Sequence, residues 1–118
     1  VNRMGVRESA LINSTDLYAT IGNMVGISAT EIHNSQSFFD VLTDENSAKR
    51  EIVYSEKEDA YTIRNASYKY IKYDTGAEEF YNLSTDAYEN TNLIGTSLTT
   101  AATAAKSALI AEANIVRN

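Results

Sequence analysis

The side chains of this 118-residue chain that could do chemistry are scattered, with a single histidine and no cysteine among them. His33 is the only histidine, within Glu31-Ile32-His33-Asn34-Ser35. A loop imidazole could bind a sugar hydroxyl or an anion. Nothing at metal-ligand or triad spacing accompanies it, so an ordinary surface histidine is the simpler reading. Arg64, Lys69 and Lys72 make the one basic cluster. They could touch an anionic substrate, but hairpin neighbours of this kind more often pair with carboxylates, here Glu51, Glu78 or Glu79. His33, Arg64 and Lys69 are therefore the candidates for lining a cleft, and no residue stands out as catalytic. Asp40, Asp44 and Glu45 could hold a loose cation, yet their spacing does not match a calcium loop, and no metal is assigned.

Other patterns have plain structural readings. The eight tyrosines could form a stacking platform for sugars or bases. Alternation along strands explains them more simply, since Tyr packs its ring on a pleated sheet and keeps its hydroxyl wet. Glu56-Lys57-Glu58-Asp59 reads as a solvated loop. The sequons at Asn13, Asn65 and Asn82 are short enough to arise by chance, and two coincide with a cap and a turn.

Composition bounds the function classes. The net charge is −6, with 16 acidic against 10 basic residues. That balance argues against nucleic acid, because a phosphate-tracking surface needs excess cations. Hydrophobic residues at 43% and charged ones at 22% are ordinary for a folded segment. No apolar run approaches the roughly 20 residues of a membrane span, and the first eight residues lack a signal-peptide core. With no cysteine, disulfides, thiol nucleophiles and thiolate metal sites are excluded.

The elements that would position these residues follow from periodicity. Asn13, Ser14 and Thr15 offer caps for a helix carrying Leu17, Ile21, Met24 and Val25, stopped at Gly26. Ser35 or Ser37 would cap a short helix with Phe38, Phe39, Val41 and Leu42. From Arg50 the period changes to two. Strands are expected over 51–55, 61–64, 68–73 and 79–83, with turns at 65–67 and at Asp74-Thr75-Gly76-Ala77. Such short turns imply an antiparallel meander. A final helix over about 96–116, with Leu98, Ala102, Ala105, Leu109 and Val116 on one stripe, would lie across one sheet face. The expected class is α+β: a four-stranded antiparallel meander covered by a long C-terminal helix, residues 49–118, preceded by helical segments in residues 1–48.

Two stretches carry more than this. Tyr61-Thr62-Ile63-Arg64-Asn65-Ala66-Ser67-Tyr68-Lys69-Tyr70-Ile71 is followed by Glu79-Phe80-Tyr81-Asn82-Leu83-Ser84-Thr85-Asp86-Ala87-Tyr88-Glu89-Asn90-Thr91-Asn92-Leu93. In order, they resemble the C-terminal signature of the sulfatase family, within the alkaline-phosphatase-like superfamily. That signature has a strand with an Arg, a Tyr-Lys-Tyr strand, an E-L-Y-D-L strand and a D-P-x-E-x-x-N-L turn. Thr15-Asp16-Leu17-Tyr18-Ala19-Thr20-Ile21-Gly22-Asn23-Met24-Val25-Gly26 is similar to the family's V-D-L-Y-P-T helix. Ala19 and Ala87 stand where the family has proline. The likeness covers roughly residues 11–93.

The resemblance implies that residues 1–48 end a larger α/β domain whose catalytic part lies upstream. The parent would hydrolyse sulfate esters of carbohydrate or aryl compounds with a formylglycine nucleophile and calcium, in the periplasm or outside the cell. This piece would be structural and inactive alone, without a cofactor of its own. Its partner would be the missing N-terminal catalytic domain, and apolar surface orphaned around Leu11, Leu17, Ile21, Phe38 and Phe39 would favour a homodimer or swapped assembly. A phosphonate or phosphate monoester hydrolase of the same superfamily, and a free-standing interaction module, are the alternative readings.

Overall fold

Period-two alternation from residue 52 onward builds a sheet, and the computed structural model, which describes residues 3–27 and 34–118, shows it. The chain divides into two compact units, Val1–Glu51 and Ile52–Asn118.

In the second unit, strands β1 (Val53–Lys57), β2 (Ala60–Arg64), β3 (Tyr68–Tyr73) and β4 (Glu78–Asn82) pair in sequence order, every pair antiparallel. Helix α2 (Thr100–Arg117) follows. The α+β meander with its terminal helix is thus the fold. Alternation sends Tyr61 and Ile63 of β2, Tyr70 of β3 and Phe80 of β4 into one core with Ala102, Leu109 and Ala113 of α2. Ile63, Phe80 and Leu109 are at most 1% exposed, each worth about 1.5–3 kcal/mol of apolar burial. Tyr68 stacks on Phe80 at 5.4 Å and Tyr54 on Tyr61 at 5.8 Å. Tyr54, Tyr61, Tyr68 and Tyr70 are therefore packing residues on the helix side.

Local chemistry sets the turns. Asn65 Oδ1 accepts from the amides of Ser67 and Tyr68, which closes β2 onto β3. Gly76 adopts φ +91 in the β3–β4 loop, where Gly76 N donates to Tyr73 O and Tyr73 N to Ala77 O. A side chain would be strained there.

Several boundaries differ from expectation, since β1 begins at Val53, β2 at Ala60, and β4 spans Glu78–Asn82. Glu56 and Lys57 belong to β1 instead of a loop, and only Glu58 and Asp59 turn the chain. Charged residues suit an exposed edge strand because they discourage further pairing. Helix α2 starts at Thr100, since Thr99 Oγ1 accepts from Ala102 N and fixes the cap there. Val116 is 39% exposed and leaves the buried stripe, which ends at Ala113.

In the first unit, α1 spans Asp16–Met24. Its cap differs from the expected one: no Thr15 side-chain bond forms, and Asp16 reaches back instead to accept from Asn13 N at 2.7 Å. The end follows the sequence. Gly26 at φ +78 lets Ile27 N bond Gly22 O and Gly26 N bond Asn23 O, a Schellman closure. The aromatic segment forms a single 3-10 turn, Asp40–Leu42, with Phe39 N donating to Ser37 Oγ. Leu17 and Ile21 are exposed as expected of orphaned surface, whereas Leu11, Phe38 and Phe39 are half-buried.

Candidate functional site

Of the three cleft candidates, His33 lies outside the described residues. Arg64 and Lys69 are directly opposed on β2 and β3. Their spacing from the Asn65 turn forces this, and alternation turns both away from α2, onto the sheet face that the helix leaves open. Thr62, Ile71, Tyr73 and Tyr81 share that face. A hollow of about 330 Å³ on it is lined by Ser55, Lys57, Thr62, Lys69, Ile71 and Tyr73 among others.

The cations there are largely held. Lys69 Nζ donates to both Glu89 carboxylate oxygens, at 2.7 and 2.9 Å. The sequence reading offered Glu51, Glu78 or Glu79 as partners, and the structure replaces them with Glu89. The Asp86–Leu93 turn delivers Glu89, whose backbone takes φ 58 to get there. Arg64 Nε donates to Asn65 O at 3.2 Å, and among the described residues no carboxylate forms a salt bridge with it. Beside them Glu79 accepts from the hydroxyls of Tyr73 and Tyr81. Its own bond to Glu79, more than burial, pushes the Tyr81 phenol up to about 12.

Lys72 points the other way. It and Lys106 of α2 both reach Glu78, at 2.9 and 3.1 Å. The two ammonium groups, Lys72 foremost, hold the Glu78 carboxyl down at about 2. This three-residue cluster pins helix to sheet.

The signature turn is built the same way. Asp86 accepts from the amides of Asn90 and Thr91, which, with the Asn90 side chain, lower its pKa. Asn92 Oδ1 accepts from Phe80 N and Ile94 N, and its Nδ2 donates to Glu78 O. Leu93 N then donates to Phe80 O at 2.8 Å. One turn therefore closes the outer edge of β4, which an unpaired strand would otherwise leave open.

A buried pair that sequence reasoning missed lies in the first unit. Asp16 and Arg50 side chains are only 1% and 6% exposed. Arg50 donates to both Asp16 oxygens, through Nε at 2.8 Å, and to Asn34 O at 2.6 Å. Asp16 also accepts from Gln36 N at 2.8 Å. Burial opposes its ionisation, but Arg50 and the Asn13 and Gln36 amides outweigh that and keep its pKa low. Asp16 carried a sequence signal as a first-turn acid. Arg50 carried none, because the two are 34 residues apart. A hollow of about 150 Å³ borders the pair.

Among the described residues no three His, Cys, Asp or Glu side chains gather where they could hold a metal ion, and no helix is long and apolar enough to cross a membrane.

No family model matches the chain, and no curated protein matches it. Solved structures do. A structure of BT4656 in complex with its substrate D-glucosamine-2-N,6-O-disulfate superposes with a TM-score of 0.71 at 20% identity. It covers 86% of this chain but 24% of its own. BT1596, a 2-O GAG sulfatase, gives 0.67 at 22% identity, over 84% of this chain and 24% of its own. A candidate sulfatase from Bacteroides thetaiotaomicron VPI-5482 gives 0.64 at 23% identity, over 79% and 22%. The chain thus has the fold of a sulfatase segment, about a quarter of the length of the structures it matches. The fold is the one that the resemblance over residues 11–93 implies.

Proposed function

We propose that this chain is the C-terminal structural part of a sulfatase-like hydrolase whose catalytic part precedes it in a longer polypeptide. One observation carries the reading: the likeness to a 2-O GAG sulfatase spans 84% of this chain yet only 24% of the matched one, and the signature residues occur in order in β2, β3, β4 and the turn after β4. The parent hydrolyses sulfate esters, of carbohydrate or aryl compounds, with a formylglycine and calcium supplied upstream. The described donor set does not suit that calcium, since no carboxylate-rich group is present in it. The role of this piece is to brace: Glu89 and Asn92 spend their polar atoms on the sheet, Asp86 shapes the turn that carries them, and Glu78 ties α2 to the sheet. The open sheet face with Arg64 and Lys69 is the part best placed to wall a cleft.

The test is a sulfate-ester assay, on an aryl sulfate and on a sulfated glucosamine, with the protein from the complete reading frame and with the 118-residue chain. Turnover by the former alone is expected. Turnover by the short chain, or a preference of the long one for phosphate monoesters, refutes the reading.

A further inference from the structure

Helix α1 is turned inside out. Its nine residues make about two and a half turns, and its side chains fall into two opposed arcs. Asp16, Ala19 and Thr20 face inward and are at most 5% exposed. Leu17, Tyr18, Ile21, Met24 and Val25 occupy roughly 120° of the opposite side. With Ile27 beyond the helix end, each is more than half exposed, from 51% at Leu17 to 65% at Val25. The outer arc carries no charge, because Asp16 is the helix's only charged residue. An ordinary surface helix has the reverse arrangement, and a contiguous apolar surface of this kind marks an interface.

The helix cannot roll to hide this face. Asp16 is bonded to Arg50 and Gln36 N, Ser35 Oγ accepts from Ala19 N at 3.2 Å, and Thr20 Oγ1 accepts from Phe38 N at 3.1 Å. These bonds from Asp16, Ala19 N and Thr20 all lie on the inward side, so the outward direction of the apolar arc is fixed.

We infer that this face is an internal interface of a longer polypeptide, buried against an uncharged, apolar surface of the chain that precedes residue 1. The inference rests on the proposed function above and adds which surface joins the two parts. The length of the matched structures supplies the occupant: each is about four times as long as the segment this chain covers. The absence of charge in the arc sets the occupant's chemistry, because a charged surface there would be desolvated without a partner.

Hydrogen exchange by mass spectrometry tests it on two proteins, the product of the complete reading frame and the 118-residue chain. Amides of residues 17–27 are expected to exchange at least about 100-fold more slowly in the longer protein. The double substitution Ile21→Glu, Met24→Glu removes that difference, and Ala104→Glu, at an exposed α2 position, does not. Equal exchange in the two unsubstituted proteins overturns the interface, even where the double variant fails to fold. So does protection that arises by dimerisation of the short chain and disappears from both proteins when they are made monomeric. That result names a second copy as the occupant. Sulfate-ester turnover on the same preparations separates the two ideas. Turnover with α1 unprotected sinks the interface alone, while protection without turnover sinks the function alone. A reading frame with nothing ahead of residue 1 sinks both.

Discussion

Arg50 does the most for its size. Its guanidinium neutralises a carboxylate that is 1% exposed and also reaches Asn34 O, so it joins the start of α1 to the segment after residue 33. Removing one member of a buried pair strands the other charge, which costs more than the pair itself contributes. Arg50→Met is therefore expected to destabilise the first unit by about 3–5 kcal/mol, read as a lower denaturant midpoint and faster exchange of residues 16–24. Asp16→Asn should cost less, since an amide oxygen still accepts from the guanidinium. Lys69 makes a contrasting case. Its spacing showed that it would meet Arg64 across the hairpin, but its partner Glu89 is 20 residues away. Only the left-handed turn at Glu89, a conformation uncommon outside glycine, brings it there.

At the scale of elements, the core strands were legible because alternation has one meaning on a half-buried sheet. Tyr61, Ile63, Tyr70 and Phe80 followed from it directly. The ends of elements were less so. Side-chain caps compete over neighbouring positions, and Thr99 won over earlier starts for α2, as Asp16 did over Thr15 for α1. The signature turn shows what an element can owe to one residue. Asn92 satisfies both sides of the β4 edge, at Phe80 N and Glu78 O. Asn92→Ala should lower stability by about 1–3 kcal/mol, because it leaves a part-buried amide unpaired. Exchange of the Phe80 and Ile94 amides should accelerate, and the α1 amides serve as the internal control.

For the whole molecule, acid is the informative perturbant. Asp16 and Glu78 ordinarily titrate near 3.8 and 4.5, and both are depressed in the fold, Glu78 to about 2. A depressed folded value means that the stabilisation is fully present above the unfolded value and is lost as pH falls towards the folded one. Stability is therefore expected to be flat above about pH 5 and to fall between roughly pH 4.5 and 2, measured by urea midpoints across that range. Glu78→Gln should flatten the part of the slope that belongs to the second unit. A slope unchanged by that substitution would show that the Lys72–Glu78–Lys106 cluster adds nothing to the linkage.

Sequence alone determined the meander, its turns at Asn65 and Gly76, the covering helix and the sulfatase-like signature, because each depends on local periodicity or backbone chemistry within a few residues. The tertiary structure decided which charges meet, that α1 presents its apolar arc outward, and that Glu89 and Asn92 of the signature serve the sheet. The bonds that set those outcomes include residues 12 to 34 positions apart, and no local pattern encodes a distance that only folding closes.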